Sequence, residues 1–258
     1  MTSTSADQSV RPARWSVVDA LALIALGAPW LAAALLPAVA QPQAYHAFAD
    51  QRVLLGVPHA LNVLSNLPFL AIGALGIGWL RRSRVERSVA IPYFVFFAGT
   101  LLTAFGSAWY HADPRDSTLV WDRLPIALGF AGLVAGTLGD RAPSRATALT
   151  IAFSAAAVAA VGTWALTGNL LPYMVMQASC VGASLYATAF VPSPFDRARW
   201  LYGATALYAG AVACERLDRV IEQLLGGALS GHTLKHLLAS AALFVVYAML
   251  KGRTRTAA

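Results

Sequence analysis

Runs of about twenty consecutive, mostly apolar residues recur along this chain, and no other feature limits its fold so strongly. A bilayer core about 30 Å thick is crossed by roughly 20 apolar residues in a helix. Such runs fall at about Ser16–Val39, Leu61–Leu80, Pro92–His111, Leu119–Leu138, Ala146–Leu166, Leu171–Val191, Trp200–Leu217 and His232–Leu250. Short connections join them, which leaves no separate soluble domain. Apolar types make up 58% of the 258 residues and charged types 12%, against roughly 45–50% and about 25% in a globular domain. So few charges cannot cover a soluble particle of this size. The expected fold class is therefore all-α, a polytopic transmembrane helical bundle of eight spans.

The net charge of +7 concerns the membrane and not an acidic partner. The basic residues are scattered over short connections and form no stripe, so a nucleic-acid partner is not expected. Counted over alternate loops, one side holds Arg11, Arg14, Arg81, Arg82, Arg84, Arg87, Arg141, Arg145, Arg197, Arg199, Lys251, Arg253 and Arg255. The other holds Arg52, Arg115, Arg123, Arg216, Arg219 and Lys235. The positive-inside rule then puts both termini in the cytoplasm. Ala38-Val39-Ala40 has the small-x-small form of a signal cleavage site, but the first apolar run is long for a signal peptide and is read as a helix. Cys180 and Cys214 both lie in apolar runs, with no CxxC spacing and no disulfide framework.

Ionisable groups inside a membrane are costly and default to function. Ser107 and His111 end the third run, Asp122 opens the fourth, and His232 and His236 open the eighth. On the alternating topology all five lie at the same, outer end. Residues i and i+4 share a helix face about 5–6 Å apart at Cβ, so His232 and His236 can address one ion, with His111 reaching in from another helix. Three imidazoles and an open fourth position make the catalytic zinc pattern, in which a bound water is acidified. Asp122 is placed to handle that water's proton and Ser107 to support a developing oxyanion. The competing reading is that paired histidines near a helix end are interfacial or bond a neighbouring helix. The HExxH signature is absent, because Thr233 stands where its glutamate would be.

Ser107-Ala-Trp-Tyr-His111, Asp122 eleven residues later and His232-Thr-Leu-Lys-His236 near the C-terminus resemble the alkaline ceramidases. These belong to a wider group of intramembrane hydrolases with the adiponectin and progestin receptors and the haemolysin-III-like proteins. Asn62-Val-Leu-Ser65-Asn66 resembles the asparagine–serine–asparagine element of the first helix of that bundle. The resemblance runs from about Tyr45 to Leu250. It implies a seven-helix hydrolase domain over residues 41–258, preceded by an added helix within residues 1–40. It also implies His111, His232 and His236 as zinc ligands, Asp122 as acid/base, and Ser107 as the hydroxyl on the polarised carbonyl. Animal members share an acidic loop that holds calcium. Here Tyr45-His-Ala-Phe-Ala-Asp50-Gln-Arg52 offers one carboxylate and His59 stands at the last ligand position, which makes calcium dependence doubtful.

The remaining polar residues carry weaker expectations. Asn62, Ser65 and Asn66 either bond neighbouring helices or support the site from behind. Glu215 and Asp218, beside Arg216 and Arg219, read as an interfacial salt-bridge cluster, or one carboxylate lines a substrate entrance. His46 and His59 read as solvated or capping residues, and Gln177 and Cys180 as facing the bundle interior. Gly73, Gly76 and Gly78 suggest close helix packing.

The resulting expectation is a zinc-dependent amide hydrolase cleaving ceramide or a related N-acyl lipid to fatty acid and amine base. It would sit in a bacterial inner membrane among its lipids, with the site towards the periplasm. Two rivals are a receptor-like protein with a structural zinc, which would need a fourth protein ligand, and a proton or metal transporter. Transport calls for polar groups across the whole membrane, and the third, fourth and eighth runs turn apolar below the cluster.

Overall fold

The computed structural model describes residues 16–83 and 85–256. Arg11, Arg14 and Arg84 of the basic count lie outside the described residues, as does the side chain of Arg87. The helices are α1 (Val17–Leu35), α2 (Ala60–Leu64), α3 (Leu67–Arg82), α4 (Arg87–Ala112), α5 (Asp116–Gly139), α6 (Ala146–Thr167), α7 (Leu171–Phe190), α8 (Trp200–Arg216), α9 (Asp218–Leu224) and α10 (Gly231–Gly252). Among the described residues there is no sheet, only two isolated bridges, Leu54 with Val57 and Phe195 with Arg255.

Local chemistry sets several of these limits. Ser16 and Asp19 close a capping box at the start of α1, the Asp19 amide donating to Ser16 Oγ and the Ser16 amide to Asp19 Oδ2. At the other end of α1 the chain leaves the helix at Leu36, before Pro37, because proline disfavours helical geometry in the residue ahead of it. The second apolar run is interrupted between α2 and α3 at Ser65 and Asn66. Pro68, at the start of α3, has no amide to give to the Leu64 carbonyl. α6 stops at Gly168, whose φ of 74° is the left-handed C-terminal cap.

Six helical segments are long and apolar enough to cross a membrane: Val17–Leu35, Ala60–Arg82, Val89–Ala112, Asp116–Gly139, Pro143–Thr167 and Gly231–Gly252. The protein is thus a multi-span helical membrane protein. The expected sixth and seventh spans are present as helices but fall short of that standard. α8 has only 17 residues, and α7 carries Gln177, Ser179, Ser184 and Thr188. Leu23, Ile24, Leu31, Leu75, Phe105, Ile151, Leu166 and Phe244 are all more than half exposed. Apolar surface of that extent suits lipid and not water.

Two buried clusters hold the bundle together. One joins α1, α5, α6 and α7 around Val134, Leu138, Phe153, Trp164 and Met176. The other joins α3, α4, α8 and α10 around Phe96, Phe97, Leu201, Val246 and Leu250. α4 and α5 link the two by backbone contact. A side chain at Gly106 would overlap the Trp121 carbonyl, and one at Gly99 would come within 2.7 Å of Gly129 N and Pro125 O. Glycine alone allows that approach, and it brings the end of α4 that carries His111 against the start of α5. Gly73 and Gly76 pack on α4 as expected, whereas Gly78 meets nothing within 4 Å.

Candidate metal centre

His111 lies in the last turn of α4, and His232 and His236 lie in the first two turns of α10. The residues keep 1%, 3% and 3% exposure, and each offers a ligand atom within 4.8 Å of the others. α10 is set in place by its own start. Ser230 Oγ accepts from the Thr233 amide, and Asp218 Oδ1 accepts from the His232 amide at 2.7 Å. Gly231 lets the chain pass against the Cys214 carbonyl, which a side chain there would overlap.

The imidazoles are oriented from behind. His236 Nδ1 lies 2.7 Å from Ser65 Oγ, and that hydroxyl donates to the Asn62 carbonyl at 3.0 Å. Since the one hydroxyl proton goes to the carbonyl, Nδ1 is assigned as donor and Nε2 keeps its lone pair. Nε2 faces His111 Nε2 at 3.3 Å. His232 Nδ1 is 4.0 Å from Glu215 Oε1, while His232 Nε2 and His111 Nδ1 are buried with no hydrogen-bond partner. Neutral imidazoles gathered this closely around unpartnered nitrogens gain little from one another and much from a shared cation. The donor set fits a divalent metal of the zinc type, which takes imidazole nitrogen readily. Among the described residues the group has three members.

Ser107 and Asp122 reach the same place. With His236 they line a cavity of about 220 Å³ that runs among α3, α4, α5, α7, α8 and α10. Both are buried, and Asp122 Oδ1 has no partner. The rest of the wall is mainly apolar, with Phe96, Leu133, Leu201, Leu243 and Val246 among its side chains, and it also carries Arg123, Glu215 and Lys235. Gln177 lines the cavity, while Cys180 is buried in the cluster of α1, α5, α6 and α7.

Of the three supporting candidates, Ser65 alone bonds a site histidine. Asn62 Oδ1 accepts from Thr233 Oγ1 at 2.8 Å and so ties α2 to the start of α10. Asn66 Nδ2 bonds back to the Asn62 carbonyl. Asp50 is fully buried, and its Oδ2 accepts from the Leu61 and Asn62 amides while Oδ1 pairs with Arg52. That carboxylate caps α2. His59 Nδ1 lies 2.9 Å from the His111 carbonyl. His46 is held between Tyr110 OH at 2.9 Å and Asp116 at 3.0 Å, so it is not a freely solvated residue.

The expected salt-bridge cluster of α8 takes another form. Asp218 bonds the amides of Ala49 and His232. Glu215 pairs with Lys235, the lysine between the two α10 histidines, and accepts from Tyr45 OH at 2.8 Å. Burial and the Glu215 charge push the Tyr45 phenol well above its ordinary pKa, so it stays a donor. Arg123 and Lys235, counted above as outer-loop cations, both line the cavity. Phe48 was not anticipated: its ring stands 4.6 Å from that of His111 and 4.8 Å from that of His232, and it covers the group from the loop between α1 and α2. Arg123 and Lys235 read as loop cations because they stand near the starts of their apolar runs; the signal that could have found them is their place beside Asp122 and within the HxxxH pair, where a charge calls for a partner. A phenylalanine in a connecting loop gave no such signal. Set against known protein families and curated proteins, the chain matches none.

Proposed function

We propose that this protein is a zinc-dependent intramembrane amide hydrolase that cleaves ceramide or a related N-acyl lipid to a fatty acid and an amine. The observation that carries the proposal is a group of three buried imidazoles, one of which, His236, lines a mainly apolar cavity together with Asp122 and Ser107. Zinc held there would supply Lewis acidity and activate water near neutral pH. His111, His232 and His236 hold the ion, and Ser65 fixes the ring of His236. Asp122 takes the proton from the attacking water and returns it to the nitrogen as the C–N bond breaks. Ser107 donates to the carbonyl oxygen as charge builds on it. The apolar wall takes the acyl chain and excludes bulk water. A structural site would be closed by a fourth protein ligand, whereas among the described residues the group has three members.

α7 and α8 complete eight crossings in this reading. Both termini lie in the cytoplasm of a bacterium, and the site faces the periplasmic side of the inner membrane. Arg145 bonds Asp19 at 3.3 Å, so the start of α1 and the α5–α6 turn lie together, which supports an even number of crossings between them.

The test has two parts. Purified protein should carry about one zinc per chain, and His232→Ala should lose most of it. Incubation with ceramides and other N-acyl amines in detergent should release free fatty acid. Well-folded protein without zinc, or zinc-loaded protein that cleaves no acyl amide, would overturn the proposal.

A further inference from the structure

Arg123 follows Asp122 on α5 and is only 6% exposed, yet no carboxylate lies within 4.0 Å of its guanidinium among the described residues. A buried cation without a counter-ion is costly. Its faces are partly served by the rings of Trp164 at 4.1 Å, Tyr173 at 5.1 Å and Tyr45 at 5.7 Å. Its edge is not. Nη2 donates to the neutral amide of Gln41, and Nη1 is buried with no partner at all. The other cation in the cavity wall, Lys235, is already neutralised by Glu215. The cavity thus holds one unpaired guanidinium, next in sequence to the proposed acid/base.

We propose that Arg123 binds a carboxylate on the amine half of the substrate, so that the preferred lipid is an N-acyl amino acid and not a neutral amide. A guanidinium held between aromatic faces presents its edge as a fixed fork, which suits a planar carboxylate. The deep, apolar part of the cavity has no charge to offer and takes the acyl chain. The amide lies between the two, at the histidines. Adjacent helix residues diverge by about 100°, so Asp122 shares the cavity wall with His236, while Arg123 turns towards Trp164 of α6 and Tyr173 of α7. That side is where the amine half of an amide would lie with its acyl chain in the deep part. The inference rests on the N-acyl lipid reading above for the position of the amide, but the carboxylate contact itself requires no hydrolysis.

Binding is therefore measured separately from turnover. N-oleoylglycine and its neutral isostere N-oleoylethanolamine are titrated into the full-length protein in detergent, once with zinc and once after chelation. This is done for wild type, Arg123→Lys and Arg123→Met. A charge-assisted bond to a buried partner corresponds to roughly 10- to 100-fold in affinity. Wild type should favour N-oleoylglycine by about that factor with or without metal. Arg123→Lys should keep part of the preference, and Arg123→Met should lose it. Equal binding of both lipids by wild type, a preference that disappears with the metal, or one that survives in Arg123→Met would overturn the inference. If both variants fail to fold, the wild-type comparison on metal-free protein decides alone. Arg123-dependent binding without fatty-acid release would leave this inference standing and the hydrolase reading refuted. Cleavage with no preference for the acid would do the reverse.

Discussion

The two ends of the bundle both bury charge, but they treat it differently. At the end away from the histidines, Arg253 forks onto Asp140 at 2.5 and 3.1 Å, and Tyr93 OH donates to the same carboxylate at 2.8 Å. The guanidinium also lies 3.8 Å over the Phe195 ring. The charge, hydrogen bonds and aromatic faces of this pair close within the protein, although Nη2 of the neighbouring Arg141 is buried without a partner. At the histidine end, Asn62 Nδ2, Asn66 Oδ1, His111 Nδ1, Asp122 Oδ1, Arg123 Nη1 and His232 Nε2 are buried without partners. Such atoms are rare in folded proteins because each costs about 1–3 kcal/mol. Six of the eight such atoms among the described residues lie at this end; the others are Arg141 Nη2, next to Asp140, and Ser154 Oγ on α6. That concentration separates an Arg253–Asp140 latch, whose own bonds are made, from a group that could hold a metal ion.

Four variants sharpen or break that contrast. The largest effect is expected at Asp122→Ala, which should lower turnover roughly 10²- to 10⁴-fold, the usual share of a general acid/base, while zinc content stays near wild type. Loss of zinc with activity would make Asp122 a ligand instead. Next, Ser107→Ala should cut turnover by about 10- to 1,000-fold with much less change in substrate affinity, as an oxyanion donor acts mainly in the transition state. An equal loss in both would place Ser107 in ground-state binding. Ser65→Ala removes the bond behind His236 and should weaken zinc by about 10- to 100-fold, read by competition with a chelating dye. Undiminished affinity would reduce Ser65 to packing. For the site the smallest effect belongs to Arg253→Met. Stranding the Asp140 carboxylate should cost about 3–5 kcal/mol and lower the thermal midpoint. Zinc content and turnover below that midpoint should be unchanged, and if either falls, the two ends are coupled.

Much of this was legible in the chain because apolar runs and i,i+4 spacing are local. Run lengths located the helices, and positions at run ends anticipated the gathering of His111, His232 and His236 and a cavity wall shared by Ser107, Asp122 and His236. The rest depends on which faces meet, and spacing does not carry that. Arg123 and Lys235 stand at span boundaries, where hydropathy reads the same for a loop cation and for one turned into a cavity. Ser65 bonds His236 only because the chain breaks between α2 and α3, and Asp50 spends its charge capping α2. Gly78, two residues beyond Gly76, falls on the open face of α3 while Gly76 meets Phe97. α7 and α8 were foreseen as helices, but shortness in one and polar side chains in the other leave their crossing to the proposal.

The loop that lays Phe48 over the histidines is fastened at both ends. Val39 exchanges hydrogen bonds with the α6–α7 turn, its amide donating to Asn169 Oδ1 at 3.1 Å and its carbonyl accepting from the Leu170 amide at 2.7 Å. Asp50 anchors the other end to α2. Chain moored twice over some ten residues is a ceiling and not a hinged door. Below it, Val212 belongs to the cavity wall and is also exposed on the flank of α8. The approach this arrangement leaves to the cavity is sideways, between helices at the flank of α8, so on the proposed reading a molecule already dissolved in the bilayer would enter without passing through water.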